Sequence, residues 1–400
     1  MKLSGRLKLI KPSATMMVTE KASALRSQGV DVIDFGAGEP DFDTPEPIKN
    51  AAAEAMRAGQ TKYTPVGGSD TLKAAIVAKL KRDNGLEYAK NEVLASCGGK
   101  HSLFVLFQAL FGEGDEVIVP APFWVSYPDM LLLAGAEARI VHTREANDFK
   151  LTPAELEAAF TPRTRALIIN SPSNPAGVAY DEQELAALLD VAARHECYII
   201  SDDVYEQMVY DRGFRLGQVL RLRPELRDRT MICNSVSKTY AMTGWRVGYT
   251  AGPAAVIKAM TTLQGQMTSN PSSVAQAAAA HALAGPQDSV PLMMAEFAKR
   301  RDFVVDRLRR IPGVRCPRPQ GAFYVFPNLA AYLGRPGGPQ NGDDLATYLI
   351  EKAHVAVVGG TDFGYPEHIR ISYATSLKNL EVGLERIERA LHALAPDVRA

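Results

Sequence analysis

The sequence predicts an α/β fold: a large, mostly parallel sheet with helices around it, followed by a smaller α+β domain. Two features predict the sheet. From Glu92 onward, short β-like runs alternate with helix-like stretches through short joints, the pattern of parallel strands with crossover helices. Polar residues also collect just beyond the carboxyl ends of those runs, where open α/β sheets hold ligands. A change of character after residue 311 predicts the second domain, because short β-like runs and one closing helix replace the long helical stretches. At 400 residues the chain exceeds a single simple core, and two domains are expected.

In chain order, residues 36–45 read as a rigid turn-rich loop with neither helical nor strand period. Pro45-Glu46-Pro47 then opens a helix, since proline and acids suit the exposed amides of a first turn, and Ile48, Ala51, Ala52 and Met56 follow at helical spacing. Residues 60–68 form another loop, carrying Tyr63 beside Lys62. Strands are expected at 93–97, 116–120, 138–142, 166–170, 197–201 and 230–233, with the clearest intervening helix at 182–195. Gly98-Gly99-Lys100 joins the first strand to an apolar helix over 103–111. Glycines there let backbone amides approach an anion, although the spacing is not that of a Walker motif. Residues 253–283 read as alanine-rich helix and 292–311 as a long amphipathic helix. Strands follow at 322–326, 354–358 and 369–373, and a final helix at 377–394. The Gly/Pro-rich stretch 334–342 reads as a mobile insertion, and no internal repeat is visible.

Composition excludes several classes. Apolar content of 46% and charged content of 22% are ordinary for a folded globular chain. Lys plus Arg equals Asp plus Glu at 45 each, so no global charge draws nucleic acid or an anionic membrane. Cys97, Cys197, Cys233 and Cys316 are far apart and never approach C-x-x-C spacing, which argues against zinc or a disulfide framework and for reduced thiols in a cytoplasm. Lys8 and Lys11 interrupt the N-terminal apolar residues, so no signal-peptide core is expected, and no run is long enough to span a membrane.

The stretch 234–249 holds a lysine, two serines and an arginine beyond a strand end. Ser235, Ser237 and Arg246 around Lys238 would suit an aldehyde cofactor held by its carbonyl on the amine and by a phosphate nearby. A solvated basic loop has the same composition. What raises the first reading is convergence: Trp124, Asn170 to Gly177, Asp202-Asp203-Val204-Tyr205 and Ser237-Lys238 all follow strands of one sheet.

Taken together, Gly36-Ala37-Gly38-Glu39-Pro40-Asp41-Phe42-Asp43-Thr44-Pro45, the N-S-P-S-N-P-A-G segment from Asn170, the S-D-D-x-Y segment from Ser201 and the S-x-S-K-T-Y-A-M-T-G-W-R-x-G segment from Ser235 resemble the fold-type I, class I pyridoxal-phosphate aminotransferases. Within them the chain is most similar to the bacterial aspartate and aspartate/prephenate aminotransferase branch, through Lys11-Pro12-Ser13-Ala14-Thr15 and Gly98-Gly99-Lys100. The resemblance implies a seven-stranded-type sheet in a large cofactor domain (46–290) and a small domain built from both chain ends (1–45 with 291–400). It also implies pyridoxal 5'-phosphate as cofactor, no metal, and a cytoplasmic homodimer working in amino-acid biosynthesis.

Residue roles follow by the same resemblance. Lys238 is the cofactor-linking amine and proton shuttle, and Asp202, with Asp203 its neighbour, keeps the cofactor's ring nitrogen protonated. Strand alternation alone does not choose between the two aspartates. Asn174 and Tyr205 hold the phenolic oxygen, while Trp124 and Val204 flank the ring faces. The amides of Gly99 and Lys100, with Ser235, Ser237 and Arg246, hold the phosphate, joined by Tyr63 from the neighbouring subunit. Arg370 grips the substrate α-carboxylate with help from the Gly38 amide, a task that suits a planar guanidinium. Trp124 and Asn174 also face the substrate. The chain departs from the animal-type enzymes in lacking an arginine within 263–271 for the side-chain carboxylate. Lys100, with Ser13 and Thr15, resembles the bacterial substitute. The implied reaction moves the amino group of aspartate or glutamate to a 2-oxo acid, with prephenate as a further acceptor. An aromatic or alanine aminotransferase and a carbon–sulfur lyase share the apparatus. A cofactor-sensing regulator would carry a DNA-binding module, for which the chain before Gly36 is expected to be too short.

Overall fold

The computed structural model describes residues 3–8, 10, 12 and 14–394, apart from the side chains of Ala14 and Thr15. Its strands in chain order are β1 (Ile33–Asp34), β2 (Val93–Ser96), β3 (Glu116–Ala121), β4 (Glu137–His142), β5 (Thr164–Asn170), β6 (Tyr198–Asp202), β7 (Thr230–Ser235), β8 (Gly248–Ala251), β9 (Tyr324–Val325), β10 (Val355–Ala356), β11 (Val358–Gly359) and β12 (Ile369–Ser372). Seven of them form the main sheet in the order β2-β8-β7-β6-β5-β3-β4, parallel except for β8.

Strand sequences explain why this sheet is covered on both faces. Ile118, Leu167, Ile169, Ile199 and Ile232 pack on one side with helices Asp70–Asn84, Glu182–Ala193 and Ser273–Ala284. Their neighbours Val117, Val119, Ala166, Ile168, Ile200 and Met231 pack on the other with helices Gly99–Leu110, Ser126–Ala134 and Ala254–Met267. Near-continuous apolar runs are what a parallel strand buried on both faces requires. A further core draws on both ends of the described chain, joining Ile33 and Phe35 to the helix Ser289–Arg309, the antiparallel sheet β11-β12-β9 and the helix Leu377–Leu394.

The hairpin β7–β8 organises the sheet's carboxyl edge. Ser235 pairs with Gly248, so the connecting loop 236–247 closes on itself at that edge. On the other flank Gly248 pairs with Ser96 at the end of β2. A Cβ on Gly248 would collide with the backbone of Gly98 and Gly99, so glycine is required where these two loops meet. Strands β1 and β8 were not expected; both are short, at two and four residues.

Three other expectations are corrected. Helix 103–111 begins at Gly99, with Gly98 in the left-handed region (φ 93°) as its cap. Residues 253–283 form two helices, because Pro271 cannot continue the first and Ser269 turns left-handed (φ 59°). Strand 354–358 is two short strands serving different sheets, β10 with β1 and β11 with β12. In the stretch read as an insertion, Gly334 N–H bonds to the Pro339 carbonyl at 3.0 Å and Gly342 starts the helix Gly342–Tyr348.

Candidate active site

At the carboxyl edge of the main sheet lies a cavity of about 370 Å³, walled by residues from β5, β6, β7, the β7–β8 loop, the first turn of Gly99–Leu110, the 36–45 loop and β12. The β7–β8 loop turns Lys238 onto its wall, where the amine donates to the Gly38 carbonyl. Enclosure lowers the Lys238 pKa to about 8, opposed by nearby Glu39 and assisted by Arg370 and Arg246. A lysine so placed is partly deprotonated near neutral pH, as a proton-transferring amine must be.

Asp202 ends β6 and lies buried on the same wall. Burial raises its pKa to about 6, held down by the hydroxyl of Tyr127, which donates to Oδ2 at 2.5 Å, and by the Val204 amide. The strand's alternation, ambiguous in sequence, is decided here: Asp203 turns away from the cavity and accepts the Ser201 hydroxyl at 2.6 Å. Asn170, at the end of the adjacent β5, donates to the Asp202 carbonyl at 3.0 Å and accepts the Asn174 N–H at 3.0 Å, locking the two strand-end loops together.

Gly99, Lys100, Ser235, Ser237, Thr243 and Arg246 form a second wall. Among the described residues no side chain caps the N-terminus of Gly99–Leu110, so its first amides can serve an anion. Arg246 sits left-handed (φ 56°) and donates to the Thr243 carbonyl at 2.8 Å, while a Cβ on Gly98 would strike its guanidinium. Lys100 lies over the Trp124 ring at 5.1 Å, and burial, then Arg246, lowers its pKa.

Arg370, on β12, is fully buried and donates to the Gly36 carbonyl at 2.6 Å and to Asn174 Oδ1 at 3.1 Å. Its guanidinium lies over Tyr324 at 4.6 Å, its Nε has no partner among the described residues, and burial lowers its pKa. Tyr205 shares a 2.9 Å hydroxyl contact with Tyr324.

Gly38, Gly99, Lys100, Trp124, Asn174, Asp202, Val204, Tyr205, Ser235, Ser237, Lys238, Arg246 and Arg370 therefore line one cavity. Tyr63 does not; it is 91% exposed on the surface. Ser13 and the Thr15 side chain lie outside the described residues. Sequence reading gave no individual role to Glu39, Thr243, Asn170, Tyr324 or Tyr127, although Asn170 opens one of the segments expected to converge. Tyr127 lay within the Trp124 segment and Glu39 within the Gly36 loop, whereas Tyr324 had no local signal. Among the described residues no group of His, Cys, Asp or Glu could hold a metal ion.

The model of the family described as aminotransferase class I and II matches residues 30–387. This chain belongs to that family. Among its relatives in the family, the aspartate aminotransferase of Geobacillus stearothermophilus is 50% identical over 99% of this chain and all of its own. The aspartate/prephenate aminotransferase of Cereibacter sphaeroides is 51% identical over 96% and 98%. The structure of the Thermus thermophilus aspartate aminotransferase with maleate superposes with a TM-score of 0.91 at 42% identity, covering 98% of this chain and all of that one. The family uses pyridoxal phosphate, and this aminotransferase is a pyridoxal-phosphate-dependent transaminase. Its own donor set fits that group: a partly deprotonated lysine, a buried carboxylate, and glycines that clear the approach to a helix N-terminus beside an arginine.

Proposed function

We propose that the protein transfers the amino group of aspartate or glutamate to a 2-oxo acid, with prephenate as a further acceptor. The observation that carries this is that two cations, Arg370 and Lys100, line one cavity, matching a substrate with two carboxylates. The names of the relatives and the maleate, a dicarboxylate, bound to the Thermus enzyme support it.

In this reading Lys238 would hold the aldehyde carbon of the cofactor, Asp202 its ring nitrogen, and Gly99, Lys100, Ser235, Ser237 and Arg246 its phosphate. Bound pyridoxal phosphate supplies the electron sink for the charge left at the substrate α-carbon. Lys238 takes the α-proton and returns it, its lowered pKa matching that task. Asp202 stays ionised with help from Tyr127, so that a ring nitrogen facing it keeps its proton. Asn174 and Tyr205 would donate to the phenolic oxygen, Trp124 and Val204 would cover the ring, and Arg370 would orient the α-carboxylate with the Gly38 amide. Ser13 and Thr15 assist Lys100 at the second carboxylate. We further propose a cytoplasmic homodimer in which the exposed Tyr63 reaches the phosphate site of the second copy, and a division into domains at 46–290 and at 1–45 with 291–400. Among the described residues no helix is long and apolar enough to cross a membrane.

A panel of amino donors and 2-oxo acids including prephenate, run at equal enzyme concentration, tests the reaction. Aspartate and glutamate should lead by kcat/KM. A flat profile, or release of pyruvate and ammonia without an acceptor, would overturn it. Lys100→Ala should lower kcat/KM for dicarboxylic donors by about tenfold or more while sparing alanine and phenylalanine.

A further inference from the structure

Behind the phosphate wall lies a buried polar node of Lys79, Asn84, Glu206 and Asn234, none of which lines the cavity. Asn234, the residue before Ser235, accepts the Ser235 N–H on Oδ1 at 2.7 Å and donates through Nδ2 to Oε1 of Glu206 at 2.7 Å. The other oxygen of Glu206 accepts Asn84 Nδ2 at 2.7 Å. Lys79 donates both to Glu206 and to Asn84 Oδ1, the latter at 2.8 Å. Lys79, Asn84, Asn234 and Ser235 are each no more than 4% exposed. The Glu206 N–H also bonds to the Asp203 carbonyl at 2.9 Å, closing the turn that carries Val204 and Tyr205 just after Asp202.

A network of this kind is a weak source of stability, since well-packed apolar residues do as well. What it supplies is orientation. Glu206 accepts hydrogen bonds and donates none, so it dictates which end of the Asn234 amide faces it and leaves the amide oxygen aimed at Ser235. Ser235 Oγ in turn accepts the Ser237 N–H at 3.3 Å. The chain of contacts therefore runs from Glu206 through Asn234 to both serines.

We infer that Glu206 is a positioning residue for phosphate recognition, acting through Asn234 to set the Ser235–Ser237 segment. The inference rests on reading Ser235, Ser237 and Arg246 as the phosphate site. Its consequence is selective: disturbing the node should weaken a ligand that carries the phosphate and spare one that lacks it.

The test is titration of the full-length, cofactor-free chain with pyridoxal phosphate, pyridoxal and inorganic phosphate, followed by absorbance or fluorescence. Ser235→Ala checks the underlying reading, which falls if pyridoxal phosphate affinity is unchanged. With that reading intact, Asn234→Ala and Glu206→Gln should each weaken pyridoxal phosphate by about tenfold and weaken inorganic phosphate similarly, as loss of one charge-linked contact would. Pyridoxal should shift by less than about twofold, and the double variant should be no worse than the weaker-binding single, because both act on one path. Equal weakening of pyridoxal, additive losses in the double variant, or unchanged phosphate affinity would overturn the inference. Where Glu206→Gln fails to fold, Asn234→Ala decides by the same comparison of pyridoxal phosphate with pyridoxal.

Discussion

Two interior lysines of this chain show what separates a structural amine from a reactive one. Lys79 is 3% exposed, yet its ammonium is matched by the Glu206 carboxylate and the Asn84 side-chain oxygen. Lys238 faces the cavity with a neutral carbonyl, Gly38, as its hydrogen-bond acceptor, and two arginines add to the pressure to lose its proton. The partner differs: Lys79 has a carboxylate in direct contact, whereas enclosure brings Lys238 to about 8 against the pull of Glu39, with only a carbonyl as its hydrogen-bond acceptor. Glu39 lies near enough to oppose the shift but is engaged by the Thr243 hydroxyl at 2.6 Å.

The contrast can be broken in order of expected effect. Lys238→Ala should cut turnover by about ten-thousandfold and abolish the borohydride-reducible cofactor link, while leaving the unfolding midpoint of the cofactor-free chain close to that of the parent. Lys79→Met should act first on stability. It strands Glu206 in the core and should lower the unfolding free energy by about 3 kcal/mol in urea titration, and Lys79→Met with Glu206→Leu should recover most of that stability.

A pH experiment sharpens the same point. Because the folded pKa of Lys238, about 8, lies below the ordinary 10.5, the unfolded chain binds more protons between those values. The stability this group contributes to the cofactor-free protein should therefore rise with pH across that window. Comparing urea midpoints of parent and Lys238→Met at pH 8 and pH 10 reads it out, and the gap should shift in the parent's favour at the higher pH. The smallest effect belongs to Asp202. Tyr127→Phe removes the hydroxyl that holds its pKa near 6, so the acid limb of the kcat/KM profile should move toward neutrality.

Much of this was legible because the informative residues are strand-end residues. Apolar runs such as Val117-Ile118-Val119 and Leu167-Ile168-Ile169 announce strands, and whatever follows each must lie at the same sheet edge, so Trp124, Asn170, Asp202 and Lys238 converge without knowledge of coordinates. Residues that bond across the fold gave no such sign. Tyr324 reaches Tyr205 and Arg370 from 119 and 46 positions away along the chain, and Glu206 reads in sequence as one more polar residue after a strand.

The sequence by itself determined the alternation of strands and helices, the glycine pair and the lysine loop, because each rests on local chemistry: apolar period or turn propensity; the arginine of β12 was singled out only by the family resemblance. Only the tertiary structure decided that Asp202 rather than Asp203 faces the cavity, that Glu39 and Tyr127 flank Lys238 and Asp202, and that Lys79 is matched where Lys238 is not. These depend on which groups meet across long stretches of chain, and a charge's environment is set by its neighbours in space.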